Sequence, residues 1–402
     1  MSADEKATPP NTIKLFFVLI PSHMTSGRII VNPSHEAFEA LVRDPCFIDK
    51  TGLIGEINRG FGNLTPFVFS AFPDGFGKTC AANMLAAYFS KGADSRELFS
   101  GLQIGRDPSF ETKLNLFDVI LIDMEQIHPD ASAPGIRRLQ QELCTEIRTA
   151  FPGEYAYDGP LVSALLADIY SKTGRRFYII IDNWDLIFRR RLSTRAMKKN
   201  LLNFLSSVFD GGIASQYLVG SILTGVLPIR KFPNWPALRS FTEFTILSPG
   251  PMASYFGFNE YEVSGLCGKL GIDQSMLAER FGGYQVGRCR NVFPPYAVVA
   301  ACREAMTGHE YDPPVSSFFL KDRLNRYLSL TKPPRVALRD LLSGKSVFVR
   351  TDSFLNDFSD LRSGDDVLTL MVHCGWLTFN PESSCVRIPN EGIRKAFLEA
   401  LG

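Results

Sequence analysis

A lysine and a hydroxyl residue placed directly after a glycine can hold a polyphosphate and a magnesium ion. Gly77-Lys78-Thr79 offers that set. It closes the stretch Phe67-Val-Phe-Ser-Ala-Phe-Pro-Asp-Gly-Phe-Gly-Lys-Thr79, in which an apolar run stops at a Pro/Gly turn and a helical pattern follows. A phosphate-binding P-loop needs this order. The strand delivers the chain, the loop turns its N–H groups inward, and the helix N-terminus adds partial positive charge. Gly75, Phe76, Gly77, Lys78 and Thr79 are then the nucleotide-binding residues, with Lys78 reaching the β- and γ-phosphates and Thr79 taking Mg²⁺. Two features depart from the pattern. Phe72 stands where a Walker A sequence has its first glycine, and Asp74 puts a negative charge inside an anion nest.

Such a loop works with an acid at a strand end that holds the metal. Ile179-Ile-Ile-Asp182-Asn-Trp-Asp185 has this form, and Ile120-Leu-Ile-Asp123-Met-Glu125 is similar. Asp182 is preferred, because an intervening strand commonly separates the two motifs in sheets of this kind. The competing reading of either aspartate is a cap on the element that follows. Thr79 and Asp182 are therefore the expected metal shell. Hydrolysis also asks for a base to orient water, commonly a Glu directly after the Asp. Asn183 occupies that position and cannot accept the proton; Asp185 is the substitute within reach of the motif. Thr224-Gly225 ends another apolar run, where Thr224 either senses the γ-phosphate or simply closes a strand before a glycine turn.

Strands must carry these groups to one edge. Apolar or β-branched runs at 66–71, 117–123, 177–182, 217–224 and 242–247 read as buried strands. Between them, 78–91, 135–151 and 160–173 read as helices, which predicts a parallel sheet covered on both faces. After residue 249 the pattern becomes helical, at 259–270, 274–281, 294–306 and 317–328, with a linker turn at 308–314. Helices at 336–343 and 365–373 precede a hairpin at 375–379 and 385–388 and a last helix from Pro389. Residues 1–12 are polar and Pro-rich and read as disordered; 15–20 reads as an early strand. A net charge of +1 gives no bulk attraction to nucleic acid or membrane. Eight scattered Cys without a CxxC pair fit a reducing intracellular compartment, cytoplasmic or nuclear, and not a zinc cluster or a disulfide framework.

Taken in order, these motifs carry a resemblance. Cys46-Phe-Ile-Asp-Lys-Thr-Gly-Leu-Ile54 resembles the opening "yyVDKTxxI" of the predicted AAA-ATPase-like family, P-loop proteins often fused to a nuclease-like domain. Phe76-Gly-Lys-Thr79 resembles its "RPRRFGKS", followed by Glu97-Leu-Phe-Ser-Gly-Leu102. Ile181-Asp182-Asn-Trp-Asp185 resembles "IDEYD", and Leu223-Thr224-Gly225-Val226 resembles "iTGv". Tyr255 to Val263, Phe281-Gly-Gly-Tyr284, and the stretch from Asp365 to Glu391 resemble later family segments. The resemblance covers roughly 35–400. Phe72, Asp74 and Gly75 replace the family's loop arginines, Asn183 replaces its Glu, and Pro294 replaces an Asn. No segment of nuclease character follows before Gly402, so no nuclease activity is expected.

The expected fold is α/β. Residues 1–34 form an N-terminal segment, 35–250 a P-loop NTPase core with a parallel sheet, 251–330 a helical lid, and 331–402 a small winged-helix-like module. Three functions stay open. The first is ATP and Mg²⁺ binding with weak or absent hydrolysis. The second is a nucleotide-independent pseudo-ATPase that serves as a protein-interaction module. The third is nucleic-acid binding through the C-terminal module, whose Lys321, Arg323, Arg326, Lys332, Arg335, Arg339, Lys345 and Arg350 precede Asp352, Asp357, Asp360, Asp365 and Asp366. The bland reading of that stretch is a solvated face whose halves pair. No membrane partner is expected, and the sequence leaves the oligomeric state open.

Overall fold

Five parallel strands set the frame of the protein. The computed structural model describes residues 29–60, 67–126, 133–189, 193–229, 235–307, 333–354 and 361–401. The expected disorder at 1–12, the strand at 15–20, the linker at 308–314 and the helix at 317–328 lie outside these residues. The large sheet contains β1 (Ile29–Val31), β2 (Phe67–Ala71), β3 (Asp118–Asp123), β4 (Phe177–Asp182), β5 (Leu218–Gly225) and β6 (Thr242–Thr245). Their spatial order is β1-β3-β4-β5-β2-β6. β1 runs antiparallel to β3, and the other pairings are parallel.

Burial explains why these runs are strands. All six residues of β4 are buried, as a strand covered on both faces must be, and its Ile-Ile-Ile core suits a pleated surface. The helix α3 (Lys78–Phe89) is likewise buried nearly all round, from Ala81 to Phe89. It stops two residues earlier than its pattern predicts. Ser90 turns extended and forms a parallel bridge with Phe117.

Parallel pairing has a direct consequence for the site. Ala71 lies beside Gly225 and Ser70 beside Thr224; Ile181 lies beside Leu223. The ends of β2, β4 and β5 therefore meet at one edge of the sheet, with β5 between the strand that feeds the loop and the strand that ends in Asp182. Open parallel sheets bind ligands at this edge.

Beyond the sheet, helices Glu260–Leu270, Gln274–Phe281 and Pro295–Thr307 enclose a separate apolar cluster that includes Val263, Leu277, Phe281, Val298 and Cys302. A two-stranded hairpin, β7 (Tyr284–Val286) and β8 (Cys289–Val292), lies among them. In the C-terminal part, β9 (Val347–Phe348), β10 (Thr378–Asn380) and β11 (Cys385–Arg387) form an antiparallel sheet in the order β10-β11-β9. Helix Pro333–Leu342 packs against β9 and against helix Gly364–His373, and helix Glu391–Leu401 lies along Gln274–Phe281. Its core residues join the apolar cluster of the large sheet.

The charges of the C-terminal part are largely paired where they are described. Lys345 meets Asp340 at 3.0 Å and Arg350 meets Asp365 at 3.4 Å. Asp366 is buried and accepts from Ser363 N, Arg362 N and Ser353 Oγ. Lys321, Arg323, Arg326, Lys332, Asp357, Asp360 and the side chain of Arg335 lie outside the described residues. All eight Cys are free thiols. Among the described residues no helix is long and apolar enough to cross a membrane.

Candidate nucleotide-binding site

The loop after β2 is tied down from two sides. Phe72 N donates to Gly225 O at 3.0 Å, which continues the sheet pairing one residue beyond β2. Tyr296 N donates to Gly75 O and Gly257 N to Phe76 O, both at 3.1 Å. Segments from beyond residue 250 thus occupy the carbonyls of Gly75 and Phe76. In a trans peptide the N–H opposes its carbonyl, so the Gly77 N–H faces away from the Gly257 contact made by Phe76 O. Gly77 has φ +90 and carries no side-chain cap onto α3. Only glycine takes that conformation freely, and the first-turn N–H groups of α3 are left without a capping side chain.

The aromatic residues of the loop are packing residues. Phe72 stacks on Phe256 with ring centroids 4.3 Å apart, and Phe76 meets the Tyr284 ring edge-on at 5.3 Å. Tyr284 also donates its hydroxyl to Gly375 O at 2.7 Å. The loop, the β7–β8 hairpin and the C-terminal part are therefore joined through one ring.

Four of the residues expected at the site come together. Thr79 Oγ1 donates to Asp182 Oδ2 at 2.6 Å, and Thr224 Oγ1 donates to Asp182 Oδ1. Asn183 Nδ2 donates to Asp182 Oδ2 at 3.3 Å. Asp182 is 2 % exposed, so hydroxyl and amide donors are what keep its carboxylate solvated inside the protein. Thr79 stands at the surface directly above it. A hydroxyl and a carboxylate oxygen side by side suit Mg²⁺, which takes one or two protein oxygens and fills its octahedron with water and phosphate. Among the described residues no cluster of three or more His, Cys, Asp or Glu could hold a metal without such help. Asp123 ends the neighbouring strand β3, and its Oδ1 accepts from Glu125 N at 2.9 Å, a local turn bond.

Lys78 lies in the nest with its side chain 5 % exposed. Its Nζ donates to Pro73 O at 2.9 Å and to Asp74 Oδ1 at 3.4 Å. Cys80, one turn into α3, has its thiol pushed up to about 11 by burial and by Asp182. It stays neutral beside Asp182.

Asp185 stands apart from this group. It is fully buried, and its Oδ2 accepts from Val226 N at 3.0 Å and Leu227 N at 2.8 Å. The carboxylate fastens the segment after β5 and is turned away from solvent water. Gly225 is part of the same joint. A Cβ there would fall 2.5 Å from the Trp184 ring, so the Thr-Gly pair is also a packing requirement.

Sequence reasoning missed Arg189. It ends the short helix Leu186–Arg189 and returns to the loop, where Nη1 donates to Asp74 Oδ2 at 3.0 Å. Its Nε is 3.2 Å from Asp185 Oδ2, and Nη2 reaches Asn183 Oδ1 at 3.5 Å. Burial opposes its charge, and Asp185, Asp74 and Glu125 more than offset that, so its pKa is raised. The available signal was its place four residues after Asp185. Glu125 faces the same cleft. Desolvation raises its pKa above the usual carboxylate range; Arg189 pulls it down, while Asp182 and Asp74 push it further up.

Next to the loop lies an apolar cavity of about 110 Å³. Gly77, Cys80 and Ala81 line one wall and Phe47, Ile48 and Phe258 another, with Pro295 and Val299 from the helix Pro295–Thr307. The charged residues on its rim are neutralised in pairs. Lys50 holds Glu262 at 2.6 Å, and Arg303 holds Asp44. Between those residues, Asp49 accepts from Thr51 N and from Gln103 N, which fixes the strand-like segment that forms the wall.

The segment 35–232 matches the family model described as predicted AAA-ATPase, AAA-ATPase-like. Over that segment the chain is similar to this family. The matched residues contain the loop, Asp182, Arg189 and Thr224, and they stop short of the helices after residue 250 and of the C-terminal part. Comparison with curated proteins gives no match. Among solved structures, the chain is similar to the Walker-type ATPase PABY2304 of Pyrococcus abyssi, at 11% identity and a TM-score of 0.46, over 87% of this chain and 96% of that one. It is also similar to the Aeropyrum pernix ORC1 protein in complex with DNA, at 12% identity and a TM-score of 0.38, over 93% and 98%. The Aeropyrum pernix ORC2 protein, in ADPNP-ADP complexes, is similar at 12% identity and a TM-score of 0.35, over 88% and 93%.

Proposed function

We propose that this AAA-ATPase-like chain binds ATP with Mg²⁺ and hydrolyses it slowly or not at all. The observation that carries this reading is the contact of Thr79 Oγ1 with Asp182 Oδ2 at 2.6 Å, at the edge where β2, β4 and β5 end and beside the buried Lys78. Lys78 and the N–H groups of Gly75–Thr79 would hold the β- and γ-phosphates. Thr79 and Asp182 would hold Mg²⁺, which supplies charge neutralisation to the phosphates. The apolar cavity beside Gly77 and Cys80 would take the base, an apolar slot of the kind that buries a flat ring. Thr224, fixed on Asp182, would position that carboxylate.

Weak turnover follows from the same geometry. Asn183 offers an amide where a base is needed, and Asp185 spends its carboxylate on backbone N–H groups. Glu125, an exposed carboxylate just past the end of β3 and within electrostatic reach of Asp182 and Arg189, is the next candidate base. The interaction-module reading has its own support, since Lys78 is already paired with Asp74. On that reading the loop is a structural knot linking sheet, lid and a winged-helix-like C-terminal module.

Stability separates the two. With ATP·Mg²⁺ at a hundredfold over its Kd, the folded state should gain about 2.7 kcal/mol, seen as a rise in melting temperature. No shift at millimolar ATP would favour the interaction module.

A further inference from the structure

The Asp74 carboxylate sits between two cations. Oδ1 lies 3.4 Å from Lys78 Nζ, and Oδ2 accepts from Arg189 Nη1 at 3.0 Å. The three groups differ in their freedom. Lys78 is 5 % and Arg189 11 % exposed, whereas Asp74 is 53 % exposed. Both cations are also anchored from behind, Lys78 by Pro73 O and Arg189 by Asp185. Asn183 completes the anchor, for its φ of +57 is one that asparagine tolerates, and its Oδ1 lies by Arg189 Nη2.

Two fixed cations thus converge on one anionic group that is held only at a loop tip. A phosphoryl group presents the same chemistry as a carboxylate, with negative oxygens spaced to bridge a lysine and an arginine. Ion pairs made by exposed side chains are weak, so the carboxylate can yield its place to a stronger anion while the cations stay.

We propose that Asp74 is a resident phosphate surrogate that closes the empty loop, and that Arg189 contacts the terminal phosphate of a nucleoside triphosphate once Asp74 has swung out. This rests on the reading that the loop binds nucleotide. Arg189 then supplies, from the helix after β4, one of the cations that this loop lacks. Lys78 serves diphosphate and triphosphate alike. Arg189 lies on the far side of Asp74 from Lys78 and adds affinity for the longer chain. The lock costs overall affinity, and Arg189 makes the opened site selective for triphosphate.

Calorimetric titration of the full chain with ATP·Mg²⁺ and with ADP·Mg²⁺ tests this. Asp74→Asn keeps the shape of the side chain and removes its charge. It should tighten ATP by about fivefold, the upper end for a half-exposed pair, and ADP by less. Arg189→Lys keeps a cation for Asp185 and loses the fork. In the Asp74→Asn background it should reverse the gain for ATP and leave ADP unchanged, with a melting temperature that confirms folding. Unchanged or weaker ATP binding in Asp74→Asn, with the wild type binding, would overturn the lock and leave the nucleotide reading intact. Absence of binding by both proteins at millimolar ATP and ADP would overturn the two together.

Discussion

Asp185→Ala should lower the unfolding free energy by about 3–5 kcal/mol, the range for breaking a buried ion pair from one side. Asp185 has no exposed surface, and one of its oxygens serves Val226 N, Leu227 N and Arg189 Nε. Removing it orphans two backbone donors, each costing about 1–3 kcal/mol when buried. It also leaves the Arg189 guanidinium without its buried counter-charge. Urea unfolding measures the loss. Asp185→Asn keeps the shape and should fall between wild type and Asp185→Ala. A loss below about 1 kcal/mol would mean that water reaches Val226, Leu227 and Arg189.

Asn183→Glu should raise ATP turnover by about 10²–10⁴-fold, the usual contribution of a positioned base. The new carboxylate would stand where the family motif has its glutamate, between Asp182 and Arg189. It carries a cost. The backbone at 183 has φ +57, which glutamate adopts less readily than asparagine, and the amide that now donates to Asp182 would become a repelling anion. A stability loss of about 1–3 kcal/mol accompanies such strain. Steady-state hydrolysis by the two proteins, with melting temperatures as control, decides. Background rates in both would show that the γ-phosphate or the attacking water is not oriented. Brisk hydrolysis by the wild type would overturn the slow-turnover reading, and Glu125 would be the base to replace next.

What was legible in the chain was whatever is local. β4 shows itself as a fully apolar run ending in Asp182, and the loop by its order of apolar run, turn and Gly-Lys-Thr. Parallel pairing then follows from alternation with helices, and it brings Thr79, Asp182 and Thr224 to one edge. What failed was whatever depends on the chain's return through space. Arg189 reads as one of three successive arginines until its helix folds it back onto Asp74. Asp185 reads as a spare base because its two backbone donors, Val226 and Leu227, lie more than forty residues on. Asp74 reads as an unpaired charge for the same reason, since one of its partners is 115 residues away. The helix Arg195–Val208 was overlooked for its basic start, although Thr194 caps it and Met197, Leu201 and Leu205 follow at helical spacing. The strands β1 and β9 are too short, at three and two residues, to show a period.

Lys78→Met offers the most direct measurement of the central claim, because it keeps the buried stem and removes only the ammonium. ATP·Mg²⁺ is titrated calorimetrically into the wild type and into the variant, at matched concentration and ionic strength. The wild type should give a saturable isotherm. The variant should show none in the same range, while its unliganded stability stays within about 1 kcal/mol, as expected for an ion pair to a half-exposed aspartate. Equal isotherms for the two proteins would place any nucleotide elsewhere than on the loop, and a flat trace for the wild type would contradict the account outright.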